Sequence, residues 1–200
     1  MHHPGHFLYT GAGYTILQLL IEEVTGDSFE SYMENEVFLP LGLQESTYKW
    51  SSEIDKEISR SYNHLGEELP RMIFTEKAST GLLTTLPDIT KFVQANISDT
   101  GLLNINSRNL LHSRIHRAIP YGLGFQIATL ANGNRIIFHN GYINGWCSSF
   151  LFTTNCKSAL ILLTNSDNGH YVIRDLITLW VQRKFINVTE TSLKTILPGI

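Results

Sequence analysis

Few residues in this sequence have types and spacings that suggest chemistry, and most of them read blandly when taken alone. Ser46-Thr47-Tyr48-Lys49 sets a serine three residues before a lysine, a spacing at which an amine can help a hydroxyl act as a nucleophile. The residues around it carry no apolar helical period that would bury the serine, so catalysis is not expected there. His112 and His116 stand four apart and could share a metal ion on one helix face, but no third ligand is suitably spaced. A shared metal is therefore not expected at this pair. Tyr9 precedes an apolar-periodic stretch and His139 lies in a run of strand character; alone, each reads as a packing or structural residue. A phenol, with a reference pKa of about 10, is a poor base near neutral pH unless a cation stabilises its anion. Cys147 and Cys156 have no CxxC or Cys/His metal spacing, and one of them falls in an expected turn. Both are expected to be free thiols.

The elements that must position these residues can be read from periodicity. From Gly13 to Val24, the residues Ile16, Leu17, Leu20, Ile21 and Val24 recur at helical spacing, Leu19 widens the face, and Gly26 follows as a stop. A buried helix is expected there. Ser28 should cap a second helix carrying Phe29, Tyr32, Met33 and Val37, ended by Pro40-Leu41-Gly42. The polar stretch 44–70 reads as an irregular surface excursion. Thr85, with Pro87 and Asp88 after it, should open a third helix running to about Asn96. A shorter helix is expected within Asn106–Arg117. Strand chemistry follows: Gly122–Leu130 and Arg135–His139 around the turn 131–134, then Cys147–Thr153 and Ala159–Thr164 around Thr154-Asn155-Cys156-Lys157. A helix over Gly169–Lys184, with Val172, Leu176, Leu179 and Trp180 on its apolar side, should cover the sheet. Phe29, Tyr32, Phe92 and Trp180 are expected in the core. Helices first, then an antiparallel meander and a covering helix, make an α+β fold.

Composition agrees with a single compact domain. Hydrophobic residues are 42% and charged residues 16% of the 200, and a chain of this length can bury roughly 70% of its unfolded surface. The formal net charge of −3 comes from 15 basic and 18 acidic residues without long runs. That excludes an electrostatic footprint for nucleic acid or an anionic membrane. No run of 18 apolar residues is present, and Met1-His2-His3-Pro4-Gly5 is unlike an export signal. Asn96-Ile97-Ser98 and Asn187-Val188-Thr189 match a glycosylation pattern that arises readily by chance.

A longer pattern covers most of residues 4 to 170. It begins at Pro4-Gly5-His6-Phe7-Leu8-Tyr9-Thr10-Gly11-Ala12-Gly13-Tyr14 and continues through Glu22-Glu23-Val24-Thr25-Gly26, Ser28-Phe29 and Phe38-Leu39-Pro40-Leu41-Gly42-Leu43. It resumes at Ala78-Ser79-Thr80-Gly81-Leu82-Leu83-Thr84-Thr85, Tyr121-Gly122-Leu123-Gly124-Phe125, His139-Asn140-Gly141 with Gly145-Trp146, and Leu163-Thr164-Asn165-Ser166. In this order the segments resemble class C-like β-lactamases, penicillin-binding proteins and related esterases, beginning with the Y-x-N run and including the HxG or KTG strand. The resemblance implies an antiparallel sheet flanked by helices and acyl-enzyme chemistry on an ester, an amide or a D-amino-acid peptide, with no metal or organic cofactor. It also implies site residues: Tyr9 as general base, His139 as the polar strand residue facing the site, and Gly11, Asn140, Gly141 and Tyr142 against the substrate. The backbone N–H of Tyr142 would be one oxyanion donor.

In the family the acylated serine sits in an S-x-x-K motif many tens of residues before the tyrosine, so these 200 residues are expected to be one domain without its S-x-x-K part. Ser46-x-x-Lys49 falls after the tyrosine, and Ser166-Asp167-Asn168, which matches another branch's S-D-N, falls after the HxG strand; neither has the family order. Gly11 stands where the family has an amide-contacting asparagine, and His139 where β-lactamases have a carboxylate-attracting lysine. Both departures favour an esterase or D-peptidase over a β-lactamase. With its nucleophile helix missing, such a chain should be inactive alone and expose an apolar groove, through which it would aggregate, self-associate or take up a partner that supplies the missing segment. The alternatives are a non-catalytic, degenerate relative acting as a binding or interaction module, and an unrelated α+β binding module. The last predicts Tyr9 and His139 far apart in space.

Overall fold

The structure is a computed structural model that describes residues 7–98, 101–130, 132–185 and 196. Helices come first: α1 (Ala12–Thr25), α2 (Phe29–Met33), a π-helical segment (Glu34–Phe38), α3 (Leu39–Leu41), α4 (Ser52–Glu57), α5 (Lys77–Thr80), α6 (Leu86–Ile97) and α7 (Ile105–Leu111). Strands β1 (Gln126–Thr129), β2 (Arg135–Ile143), β3 (Trp146–Thr153) and β4 (Ser158–Thr164) follow, and α8 (Gly169–Lys184) ends the series. The strands pair antiparallel in chain order, β1-β2-β3-β4. This is the expected α+β arrangement of an antiparallel sheet flanked by helices.

Alternation along the central strands builds two cores. Ile136 and Phe138 of β2 and Cys147 and Leu151 of β3 face α8, where Ile173, Ile177 and Val181 pack on them with Ala128, Leu130, Phe185 and Ile196. Ile137 and Phe152 face the other way, onto Val93 of α6 and Phe125. Register fixes these faces, with Ile137 opposite Phe152 and His139 opposite Phe150. Each of these aliphatic or aromatic side chains contributes roughly 1.5–3 kcal/mol by leaving water.

Local signals act largely as the sequence implies. Ser28 accepts from the Ser31 N–H at 3.3 Å and Thr85 from the Asp88 N–H at 3.4 Å. Gly26 ends α1 at φ +76°, its N–H returning to the Glu22 carbonyl at 2.9 Å. The turn between β3 and β4 falls where expected, and Cys147 and Cys156 are both free, one buried and one exposed. Phe29 is buried, while Phe92 and Trp180 pack half-buried against the two cores.

Several expectations are corrected. The helix at Gly13–Val24 exists but is not buried: Ile16 is 66% exposed and Val24 75%, and Gln18 is its one buried residue. Gln18 ties α1 to the 75–78 segment, its amide reaching the Thr75 carbonyl and its oxygen accepting from the Ala78 N–H at 3.2 Å. In α8 the buried stripe is Ile173, Ile177 and Val181, so the face is turned by one position from Val172, Leu176 and Leu179, which are exposed. The excursion 44–70 contains α4, capped by Ser51 accepting from the Ile54 N–H at 3.2 Å. The helix expected within 106–117 stops at Leu111. Asn96 of the first glycosylation match is buried and donates to the Phe92 carbonyl at 2.9 Å; Asn187 lies outside the described residues.

Candidate functional site

The segment ahead of α1 delivers Tyr9 to the middle of β2. The α1 N-terminus has no side-chain cap from Gly11; instead Thr10 Oγ1 accepts from the Ala12 N–H at 3.2 Å, which bends the chain into the helix. Tyr9 and His139 then stand with ring centroids 6.3 Å apart. They are 130 positions apart in sequence, so an unrelated module with these two residues distant from each other is ruled out. Beyond Phe138, the last β2 residue paired with β1, residues 139–143 have a neighbouring strand only on the β3 side among the described residues. The strand edge beside Tyr9 is thus not covered by β1.

His139 is half-buried, and this burial holds its imidazole below the ordinary histidine range, with the Asn140 backbone partly offsetting the effect. Tyr121 is the neighbour that sequence reasoning missed as a site residue, although its Tyr-Gly-x-Gly-Phe run was visible. Its Oη lies 3.1 Å from His139 Nε2, its ring 5.9 Å from that of Tyr9 and 5.3 Å from that of Phe7. Tyr14 adds another phenol on this side, raised above its usual range by burial first and by Tyr9 second.

The remaining candidates divide by strand face. Alternation puts Gly141 on the same face as His139, and Asn140 and Tyr142 on the opposite one. Asn140 Oδ1 accepts from Ser149 Oγ at 2.7 Å, and the Tyr142 hydroxyl donates to Asp167 Oδ1 at 3.1 Å. A contribution of either residue on the Tyr9 side therefore falls to its backbone. Gly11 lines an open concavity of about 520 Å³ together with Ala12, Thr15, Ile16, Glu76 and Ser79. A Cβ on Gly11 would come within 3.3 Å of Ser79 Cβ.

Other chemistry-bearing residues are engaged elsewhere. Ser46 Oγ bonds to Thr84 Oγ1 at 2.8 Å and to Asp88 Oδ2 at 3.0 Å, while Lys49 is ion-paired with Glu34. The serine and lysine of this S-x-x-K thus do not serve each other. Asp88 is almost fully buried and also accepts from the Glu45 N–H at 2.7 Å and from Lys91 at 3.0 Å. Burial alone would raise its pKa, but these bonds outweigh it and hold the carboxyl below its usual range. Ser166-Asp167-Asn168 is the turn from β4 into α8, and Asp167 Oδ1 accepts from the Gly145 N–H at 2.7 Å. Gly145 has φ +77°, and a Cβ there would meet Ser61, Leu69 and the Tyr62 nitrogen within 3 Å.

His112 and His116 both lie past the last residue of α7, so they do not share a helix face. His112 Nε2 lies 3.2 Å from Asn96 Oδ1, and burial, then Arg108 and Arg135, pull the imidazole pKa down to about 4. Among the described residues no three His, Cys, Asp or Glu side chains gather into a metal-binding group. Nor is any described helix long and apolar enough to cross a membrane.

A sequence model of the Beta-lactamase family matches residues 2–181. The chain belongs to the beta-lactamase family. It is 26% identical over 182 residues to Protein flp of Staphylococcus aureus strain MW2, covering 86% of this chain and 36% of that protein. Penicillin-binding protein 4* of Bacillus subtilis is 20% identical over 181 residues, covering 80% of this chain and 40% of that protein. The chain thus spans well under half the length of these relatives. Among solved structures, the octameric penicillin-binding protein homologue from Pyrococcus abyssi superposes with a TM-score of 0.75 at 23% identity, over 90% of this chain and 44% of that one. The D-amino acid amidase from Ochrobactrum anthropi SV3 gives 0.70 at 19% identity, over 90% and 62%. At such identities the structural likeness is one of fold, and the fold is that of the β-lactamases and penicillin-binding proteins.

Proposed function

We propose that this chain supplies the tyrosine and the oxyanion strand of a serine acyl hydrolase acting on an ester, an amide or a D-amino-acid peptide. The observation that carries the reading is Tyr9 beside His139 at the strand edge left uncovered by β1. In this reading Tyr9 takes the proton of a serine hydroxyl as it attacks the acyl carbonyl, and later returns it to the leaving group. The backbone N–H of Tyr142 stabilises the oxyanion of the tetrahedral intermediate. Gly141, without a side chain on the His139 face, leaves room for substrate along the strand.

Serine and lysine are assigned to sequence outside these 200 residues, since Ser46 and Lys49 are held by other partners. The chain by itself is then catalytically silent. His139 in place of a lysine puts no fixed cation at the strand, which supports a neutral acyl group over a substrate with a free carboxylate. A D-amino acid amidase among the structural neighbours is in keeping with that class.

A fluorescent serine-acylating probe, read by intact mass, tests the reading. The chain alone should remain unlabelled, with Ser46→Ala as control, and the protein from its full reading frame should be labelled once. Tyr9→Phe in the full protein should slow acylation by on the order of 10²-fold or more. Labelling of the isolated chain that Ser46→Ala abolishes would overturn the assignment. An unlabelled full-length protein that still binds acyl ligands would instead establish the non-catalytic binding module.

A further inference from the structure

We propose that Tyr121 is a positioning residue for His139: its hydroxyl donates to Nε2 and holds the imidazole as the Nδ1–H tautomer. The geometry is a 3.1 Å contact between Tyr121 Oη and His139 Nε2, made by a phenol that is 9% exposed. Its backbone is pinned on both sides, bridging to Gln126 and accepting from the Ile115 N–H at 2.9 Å. Phe7 and Tyr9 pack their rings against it, so the hydroxyl has little freedom to turn away.

Two neutral partners can share one hydrogen bond in either direction, and the surroundings choose here. Burial first, then Tyr9 and Tyr14, keep the Tyr121 phenol protonated well above neutral pH. With the ring held by Phe7 and Tyr9, that phenolic O–H is directed at Nε2 in this proposal. Burial in turn keeps His139 neutral, leaving the Nε2 lone pair as the acceptor. The proton of the ring therefore sits on Nδ1.

This has a consequence for the roles within the proposed site, and it is there alone that the inference rests on the hydrolase reading. Nε2 is occupied, so His139 is not the base; what it can offer is an N–H donor, and proton transfer falls to Tyr9. A lysine at this position would bring a charge, whereas the Tyr121–His139 pair presents a neutral, oriented ring.

Long-range ¹H–¹⁵N spectra of the histidines in the isolated chain test the tautomer directly, without any catalytic readout. His139 should show a protonated Nδ1 and a bare Nε2. Tyr121→Phe, which keeps the ring and removes the hydroxyl, should shift the tautomer ratio about tenfold toward Nε2–H, the effect of one hydrogen bond. Tyr9→Phe should leave the ratio unchanged. A protonated Nε2 in the unmodified chain overturns the proposal even if the variant does not fold, and so does a ratio that Tyr121→Phe fails to move. Correct tautomers with no acylation in the full-length protein would sink the hydrolase reading and leave this one standing.

Discussion

Helices α1 and α8 have similar lengths and α1 is the more apolar of the two, yet α8 is embedded and α1 is bare. α8 presents Ile173, Ile177 and Val181 to Phe138 and Leu151 of the sheet, all at 2% exposure or less. α1 carries Ile16, Leu17, Leu19, Leu20 and Val24, each at least half exposed, and is held chiefly by Gln18 and by its packing on α5 and α2. Apolar periodicity thus specifies that a helix has a face to bury, but not that the partner is present. Stability in this molecule resides in the sheet and α8. The site, in contrast, hangs from the more exposed side, where Tyr9 immediately precedes α1.

The widest contrast is expected from truncating one residue of each helix. Ile177→Ala should lower the unfolding free energy by about 2–5 kcal/mol, because it opens a cavity between α8 and the sheet. Leu20→Ala should change it by no more than about 0.5 kcal/mol. Urea denaturation of both variants reads the difference, and equal losses would mean that α1 is packed in solution.

Acid should loosen the sheet side next. His112 has its pKa lowered from 6.5 to about 4, so the folded state binds fewer protons than the unfolded one between those values. Its contribution is complete above pH 6.5 and is lost as pH falls toward 4, on the order of 3 kcal/mol in all. His139, also lowered, adds loss of the same sign. In His112→Asn the fall in urea midpoint between pH 7 and pH 5 should be clearly smaller; an unchanged fall would place the titrating group elsewhere.

A smaller loss is expected at the joint between α6, which packs on the sheet, and the 42–46 segment. Asp88→Asn weakens the charged bond with Lys91 and disturbs the acceptors of Glu45 and Ser46, which join the N-terminus of α6 to the 42–46 segment. About 2 kcal/mol should go, more than at an exposed carboxylate and less than in a dry ion pair, since Lys91 is partly exposed. The wild-type contribution is present above the ordinary carboxylate pKa and fades as pH drops through the lowered one. Asp88→Asn should therefore level the stability profile below about pH 4, measurable by thermal melts.

How much of this was legible in the sequence depends on whether the deciding contact was local. The caps at Ser28 and Thr85, the stop at Gly26 and the strand turns are set by neighbours two to four residues away, and they fell where the sequence put them. The rotation of α8 by one position was not legible, because Val172 and Ile173 are equally apolar and only the sheet chooses between them. Tyr9 and His139 were picked out through the ordered motifs, not through their own chemistry. Tyr121 stands within those motifs, but nothing in a Tyr-Gly-x-Gly-Phe run says that its hydroxyl meets a histidine 18 residues later. Asp88 and the hydroxyls of Ser46 and Thr84 look the same in sequence as ordinary surface residues, and only burial distinguishes them.

The smallest effect on folding should accompany the largest effect on association. A bare apolar stripe on a helix tends to find a cover, and a second copy of the chain is always at hand. The chain at tens of micromolar should show a concentration-dependent mass in sedimentation or light scattering. Ile16→Glu with Val24→Glu places charge at positions already 66% and 75% exposed, so the unfolding free energy should hardly move. The same double variant should shift the association to much higher concentration. If the unmodified chain is a monodisperse, cooperatively melting monomer at every concentration, the bare face of α1 is no liability and the contrast with α8 loses its meaning in solution. If the double variant abolishes association and leaves the Ile177→Ala penalty intact, the two helices are separated as intended: one holds the fold together and the other is an unfilled contact surface.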